Sequence, residues 1–324
     1  EQSRAARGGR GAVRLLATGM GLAPAGLYDE SMHRIWPRFD LIDVRDEASE
    51  SIAWAAVGGD GAEASAAATR VTYSGDDAWV VLASGDLEDN GLGAGEGTSG
   101  RERPIVLCLQ GDLLAGRDAE GGTDESHESG ENPAAALADA VIELLRRWEV
   151  DGRPVSGRDV AVVEAIPHVD VRVWHRIEHR APDLAEGAHV VRFAELWDRG
   201  LPARPGQRWL TTRFHPHLIA SARGASGVAL DVHVQGYYSV KHGSVTAAGS
   251  RWPVVSLDDV AVAEPGPGIS DAAVERNRAA KAATVELAYP VHPVVEELTN
   301  AAVTVRRAGR ALQERIRGAI GDHF

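Results

Sequence analysis

AVRLLATGMGLAPAGLYDESMHRIWPRFDLIDV, residues 12–44, is the stretch whose reading decides the fold. AVRLLAT (12–18) is apolar enough for a strand, and the Gly-rich turn GMGLAPAG follows it. LYDESMHRIW (27–36) predicts a short helix and FDLIDV (39–44) a second strand. DEASESIAWAAV (46–57) then predicts a second helix. Strands separated by a helix pair in parallel, because the crossover is too long for a hairpin. The expected class is α/β: a mixed sheet with a Rossmann-like β-α-β-α opening, a β-rich middle and a helical C-terminus.

Farther along, ATRVTYS (68–74) and AWVVLAS (78–84), separated by GDD, read as an antiparallel hairpin. PIVLCLQ (104–110) is a buried strand, and AAALADAVIELLRRWE (134–149) an amphipathic helix entered at Pro133. DVAVVEAI and HVDVRVWHRI read as strands around Pro167, and HVVRF, RWLTTRF, GVALDVHV and YYSV continue the β-rich middle. Ser270 is the expected N-cap of DAAVERNRAAKAATVEL. Val291, Val295, Leu298, Ala302, Val305, Leu312 and Ile316 mark one face of a further helix, interrupted near Gly309.

The expected organisation is a disordered Gly/Arg-rich start (1–11), an α/β half over 12–150 and a second half over 151–324. The first half carries low-complexity loop insertions at 86–103 and 112–133. One continuous domain is the alternative. The insertion DLLAGRDAEGGTDESHESGENP holds seven carboxylates against one arginine, too polar to pack.

The chain of 324 residues has a formal net charge of −13, which disfavours nucleic acid and anionic membrane as partners. Cys108 is the only cysteine, which fits a reducing compartment, and its apolar surroundings suggest an inert thiol. No apolar run reaches the roughly 18 residues of a membrane span, and the N-terminus does not read as a signal peptide. The expected location is cytoplasmic. Arginines number 32 against two lysines, Lys241 and Lys281, so a lysine is the more informative cation here.

Eight of the twelve histidines lie between His168 and His242, interleaved with acidic residues. Histidine is the commonest metal ligand and titrates near neutrality. His168, Asp170, His215 and His217 are the expected ligands of a divalent ion (Zn, Mn or Fe). Asp231 and His233 are the candidate catalytic or additional ligand residues. Metal-activated water attacking an ester, amide or phosphoester is the commonest chemistry of such a set. The second reading is non-catalytic: Gly19 and Gly21 of the first turn would hold the phosphate of a nucleotide or effector, with Asp43 on a ribose hydroxyl. The third is an interaction protein using its helical C-terminus.

Four short resemblances accompany these readings. ATGMGLAP is similar to the pyrophosphate turn of ferredoxin-reductase-type nicotinamide domains, with Pro24 where a third glycine would stand. His175-Arg-Ile-Glu178-His179 resembles the inverzincin zinc motif, which needs a helix, whereas the alternating valines upstream predict a strand. His168-x-Asp170 with His215 or His217 and Arg223 is similar to the facial triad of 2-oxoglutarate oxygenases, implying Fe(II) and an oxoacid on the arginine. His215-Pro-His217 with Tyr238 and Lys241 resembles HUH single-strand endonucleases, with proline between the histidines. G-x-S-x-G, P-loop, C-x-x-C and H-E-x-x-H motifs are absent from the sequence.

Overall fold

The computed structural model describes residues 15–23, 35–58, 69–83, 103–110, 133–232 and 237–289. The chain divides into one unit to Lys281 and a second from Ala282. The first unit carries every described strand and the larger part of the last described helix. Residues 27–34 of the expected helix LYDESMHRIW, residues 86–102 and 112–132 of the two low-complexity insertions, His233 and the apolar face over Val291–Ile316 lie outside the described residues.

The opening forms a three-stranded parallel sheet. It consists of β1 (Leu16–Met20), β2 (Leu41–Val44) and β3 (Arg70–Tyr73), in that order across the sheet. All four residues of β2 are buried, with Leu22, Trp36, Ile42, Ala53 and Val71 packed as one core. Helix α1 (Glu47–Gly58) makes the crossover from β2 to β3. Asp46 caps its start by accepting the Ser49 N–H at 2.7 Å.

AWVVLA does not return as a hairpin strand. It forms helix α2 (Ala78–Ala83), started by Asp76 Oδ1 accepting the Ala78 N–H at 2.9 Å. A short apolar run suits strand or helix equally, and here the Asp76 cap and the burial of Trp79 decide for helix.

The second sheet has six parallel strands. It begins with β4 (Ile105–Cys108), fully buried. Helix α3 (Pro133–Arg147) follows, then a two-strand antiparallel hairpin, β5 (Glu149–Val150) and β6 (Arg153–Pro154). β7 (Val160–Val163) leads into α4 (Val171–Arg180) and the short α5 (Pro182–Ala185). Next come β8 (His189–Val191) with α6 (Phe193–Arg199), and β9 (Arg208–Thr211) with α7 (Phe214–Ala222). β10 (Ser226–Leu230) with α8 (Tyr237–Ala247), β11 (Val254–Val255) and α9 (Asp271–Ala288) close the series.

The strand order is β11-β10-β9-β4-β7-β8. The chain grows outward from β4 to β8, then returns to the other side of β4 and grows outward again to β11. That is the doubly wound order, which opens a crevice where the direction reverses, between the carboxyl ends of β4 and β9. The complete doubly wound sheet thus starts at Ile105, while the Gly-rich opening belongs to the smaller sheet. Because β4 pairs with β7 and β9, the division of strands between the sheets falls between Tyr73 and Ile105.

Two expected strands of the middle are helices. HVDVRVWHRI becomes α4, burying Val171, Val173, Trp174 and Ile177 on one face. Val173, Trp174 and Ile177 have helical spacing, and that outweighs the valine alternation. YYSV opens α8. HPH, expected beyond a strand, lies in the first turn of α7, where proline's missing N–H leaves no helical bond unmade.

Candidate functional site

The first-turn residues form a filled structure. Gly19 has φ +59°, and a Cβ there would stand 2.8 Å from Asp77 Cγ. A Cβ at Gly21 would stand 2.2 Å from an Arg45 nitrogen. The Asp43 carboxylate, fully buried, accepts from Thr72 Oγ1 (2.9 Å), Ser74 Oγ (2.7 Å) and Lys281 Nζ (2.6 Å), with the Gly19 N–H at 3.4 Å. A carboxylate offers about four acceptor positions, so Asp43 has none left for a ribose. Lys281 also reaches Asp77 Oδ1 at 2.9 Å, and Asp77 Oδ2 accepts from Thr18 Oγ1 at 2.8 Å. This network ties α9 to the carboxyl edge of all three strands.

The histidine stretch spreads over several elements. His168 sits at φ +64° in the loop after β7, exposed, its N–H held by Glu164 Oε1 at 3.0 Å. Asp170 is buried, and its carboxylate accepts from Arg213 Nε at 3.0 Å and the Ile166 N–H at 2.8 Å. Burial raises its pKa above the ordinary carboxylate value, against the pull of Arg213. His215 is exposed and faces Asp76, Nε2 to Oδ1 3.4 Å, and the hydrogen bonds from His215 and Ala78 hold the Asp76 pKa down against its burial.

His217 is fully buried instead. Its Nδ1 lies 3.1 Å from His242 Nδ1, and its Nε2 lies 2.9 Å from Ser250 Oγ. Ser250 Oγ accepts the Trp252 N–H at 3.3 Å, which leaves its proton for His217 Nε2. His217 then carries its proton on Nδ1 and donates to His242. That assignment leaves an N–H at His242 Nε2, which lies against the backbone of Thr212 and Leu230 without reaching hydrogen-bond geometry. Burial lowers both pKa values, His242 to about 4 and His217 well below its ordinary value, so the pair is neutral at pH 7.

Among the described residues, no group of three or more His, Cys, Asp or Glu is arranged to hold a metal ion. Asp170 and His217 have their polar atoms spent on Arg213 and on the histidine–serine chain. The described residues therefore do not fit a divalent ion. His175 and His179 are exposed on α4, with Glu178 accepting from Trp174 Nε1 at 2.8 Å. Arg223 donates to the Leu201 and Ala203 carbonyls at 3.2 and 3.5 Å. Asp231, half-buried, follows β10 with its N–H on the Val255 carbonyl. Lys241 Nζ lies 5.0 Å over the Tyr238 ring, and Tyr238 donates to Gln110 Oε1 at 3.3 Å. At the reversal between β4 and β9, the Gln110 N–H meets Thr212 Oγ1 at 2.8 Å and stitches the strand ends together. Burial raises the Cys108 pKa, so the thiol stays protonated.

A cavity of about 190 Å³ opens where the carboxyl edge of the three-stranded sheet meets α7, α8 and α9. Arg45, Ser74, Asp76 and Asn277 line it on the polar side, Trp79 and Phe214 on the apolar side. Ser74 spends its proton on Asp43, and Asn277 gives its amide hydrogens to the Ala248 and Ala273 carbonyls, each at 2.8 Å. Arg45 is different. Its side chain is 10% exposed, its guanidinium lies 4.8 Å over the Phe214 ring, and Asp46 Oδ2 stands 3.4 Å from Nε. Nε is buried and, among the described residues, has no hydrogen-bond partner. Sequence reading missed this residue. The signal was faint: an arginine directly after a buried strand, in a chain where arginine is common.

No protein-family model matches the chain, and no curated protein matches it. Among the described residues, no helix is long and apolar enough to cross a membrane. The fold and cavity define an α/β protein of two parallel sheets with a small polar cavity at the carboxyl edge of the smaller one.

Proposed function

We propose that this protein binds a small phosphorylated molecule in the cavity beside Arg45, with Arg45 as the anion-holding group. The observation that carries the reading is that guanidinium: nine-tenths buried, lining a cavity, and held among the described residues by the 3.4 Å ion pair of its Nε with Asp46 and by the Phe214 ring, with no hydrogen bond to Nε. Guanidinium offers five donors in a planar fork that matches phosphate. Phe214 fixes the plane of the fork from one side, and Gly21 leaves room for it on the other.

The size of the space narrows the ligand. At about 30 Å³ per water, 190 Å³ holds about six waters. Drug-sized pockets begin near roughly 300 Å³, so the cavity suits a small phosphate ester or the phosphate end of a larger one. Asp76 adds a negative charge at the rim, and His215 offsets it when protonated.

Thermal unfolding with inorganic phosphate, glycerol phosphate and a sugar phosphate tests the reading. A ligand at 100 times its Kd stabilises by about 2.7 kcal/mol, and the rise in Tm should vanish in Arg45→Met. No rise with any of these compounds, or an equal rise in the variant, would overturn it.

A further inference from the structure

We infer that a second anion site, for a pyrophosphate group, lies at the opposite, amino-terminal edge of the six-stranded sheet. A cavity of about 490 Å³ opens there, lined by Arg103, Arg153 and Arg158 with Asp151 and Asp159. Three guanidiniums against two carboxylates leave a positive remainder, in a chain whose net charge is −13.

The three arginines are held differently. Arg153 is locked as a bidentate pair on Asp159, both nitrogen–oxygen distances 2.7 Å. Asp159 is fixed in turn by the Ser156 N–H (2.9 Å) and Ser156 Oγ (2.8 Å), and Arg153 is the main cause of its strongly lowered pKa. That pair is satisfied and supplies a wall. Arg103 is placed by its backbone: its carbonyl accepts from Gln207 Nε2 at 3.0 Å, and the next carbonyl, of Pro104, accepts the Arg208 N–H at 2.8 Å. Arg158 has its stem laid on Gly187, where a Cβ would stand 2.8 Å from Arg158 Cγ. Among the described residues, neither the Arg103 nor the Arg158 guanidinium meets a carboxylate within ion-pair distance.

Two arginines with fixed bases and heads that meet no carboxylate among the described residues, beside a cavity of ligand size, call for an anion with more than one charged group. A pyrophosphate group offers one charged phosphate for each head. It can arrive as inorganic pyrophosphate or as the tail of a nucleoside diphosphate, whose base and ribose the larger volume would admit.

Calorimetric titration of the Arg45→Met protein isolates this site from the first cavity. Inorganic pyrophosphate and ADP are the probes, and Arg45→Met/Arg103→Ala/Arg158→Ala is the comparison. The expected result is one site per chain in the single variant, weakened at least tenfold in the triple variant, with circular dichroism unchanged. ADP binding tenfold tighter than pyrophosphate would identify a nucleotide as the occupant; equal affinities would identify the free anion. No heat with either probe in the single variant, or binding kept in the triple variant, would overturn the inference.

Discussion

Asp43 and Arg45 leave the end of the same strand two residues apart, and the protein treats their charges in opposite ways. Asp43 is fully buried and saturated by two hydroxyls, an ammonium and a backbone N–H. Arg45 is nearly as deep, yet among the described residues its Nε makes no hydrogen bond and has only the 3.4 Å ion pair with Asp46. Both are buried charges, of opposite sign, and they differ in how far their hydrogen-bonding capacity is filled. A buried charge with every position filled is part of the frame. One left open beside a cavity is available to a ligand.

The contrast can be broken most forcefully at Asp43. Asp43→Ala strands Lys281, 1% exposed, with Asp77 alone, and removing one partner of a buried pair typically costs about 3–5 kcal/mol. Urea unfolding at pH 7 reads this directly. A loss under about 1 kcal/mol would show that Lys281 finds another arrangement, and the distinction would lapse.

The histidine pair sharpens the comparison, since it handles burial by staying neutral. The folded pKa of His242, about 4, lies below the ordinary value of 6.5. The unfolded chain therefore binds a proton that the folded chain refuses between those values. Stability should be complete above pH 6.5 and fall as pH drops toward 4, by on the order of 3 kcal/mol for this one group. Urea midpoints from pH 8 to pH 4 measure the slope, and His242→Gln should lower it by about one proton. An unchanged slope would mean that other groups set the acid limit.

Arg45→Met should change stability least of the three. It forfeits one cation–π contact of about 1 kcal/mol and the 3.4 Å ion pair with Asp46, which keeps its hydrogen bond from the Ser49 N–H. A loss of the size expected for Asp43→Ala would make Arg45 a structural charge after all.

The buried strands were largely legible from sequence: LIDV, IVLC, VAVV and SGVAL lie in apolar runs that no amphipathic helix explains. The failures came where apolar and β-branched residues also satisfied helical spacing, as in AWVVLA and VRVWHRI. In both, a distant surface supplied what settles the choice, through Trp79 packed with Phe214 and Val173 packed in the main core. The site was less legible. Crowding of histidines along the chain did not predict crowding in space: His168 is exposed in a loop, His215 faces Asp76, and His217 faces His242. The rarity of lysine was a sounder signal, since Lys281 is a central tie of the smaller sheet. Arg45 was hidden among 32 arginines.

The tie between Lys281 and Asp43 spans 238 residues. At about 5–20 residues per second, a ribosome needs roughly 10–50 s to make that much chain. Throughout that interval the nascent three-stranded sheet carries an acidic residue whose cationic partner does not yet exist. Its early strands must wait, hydrated and unlocked, until the last described helix emerges. A chain released before Lys281 would leave the first sheet it made without its lock.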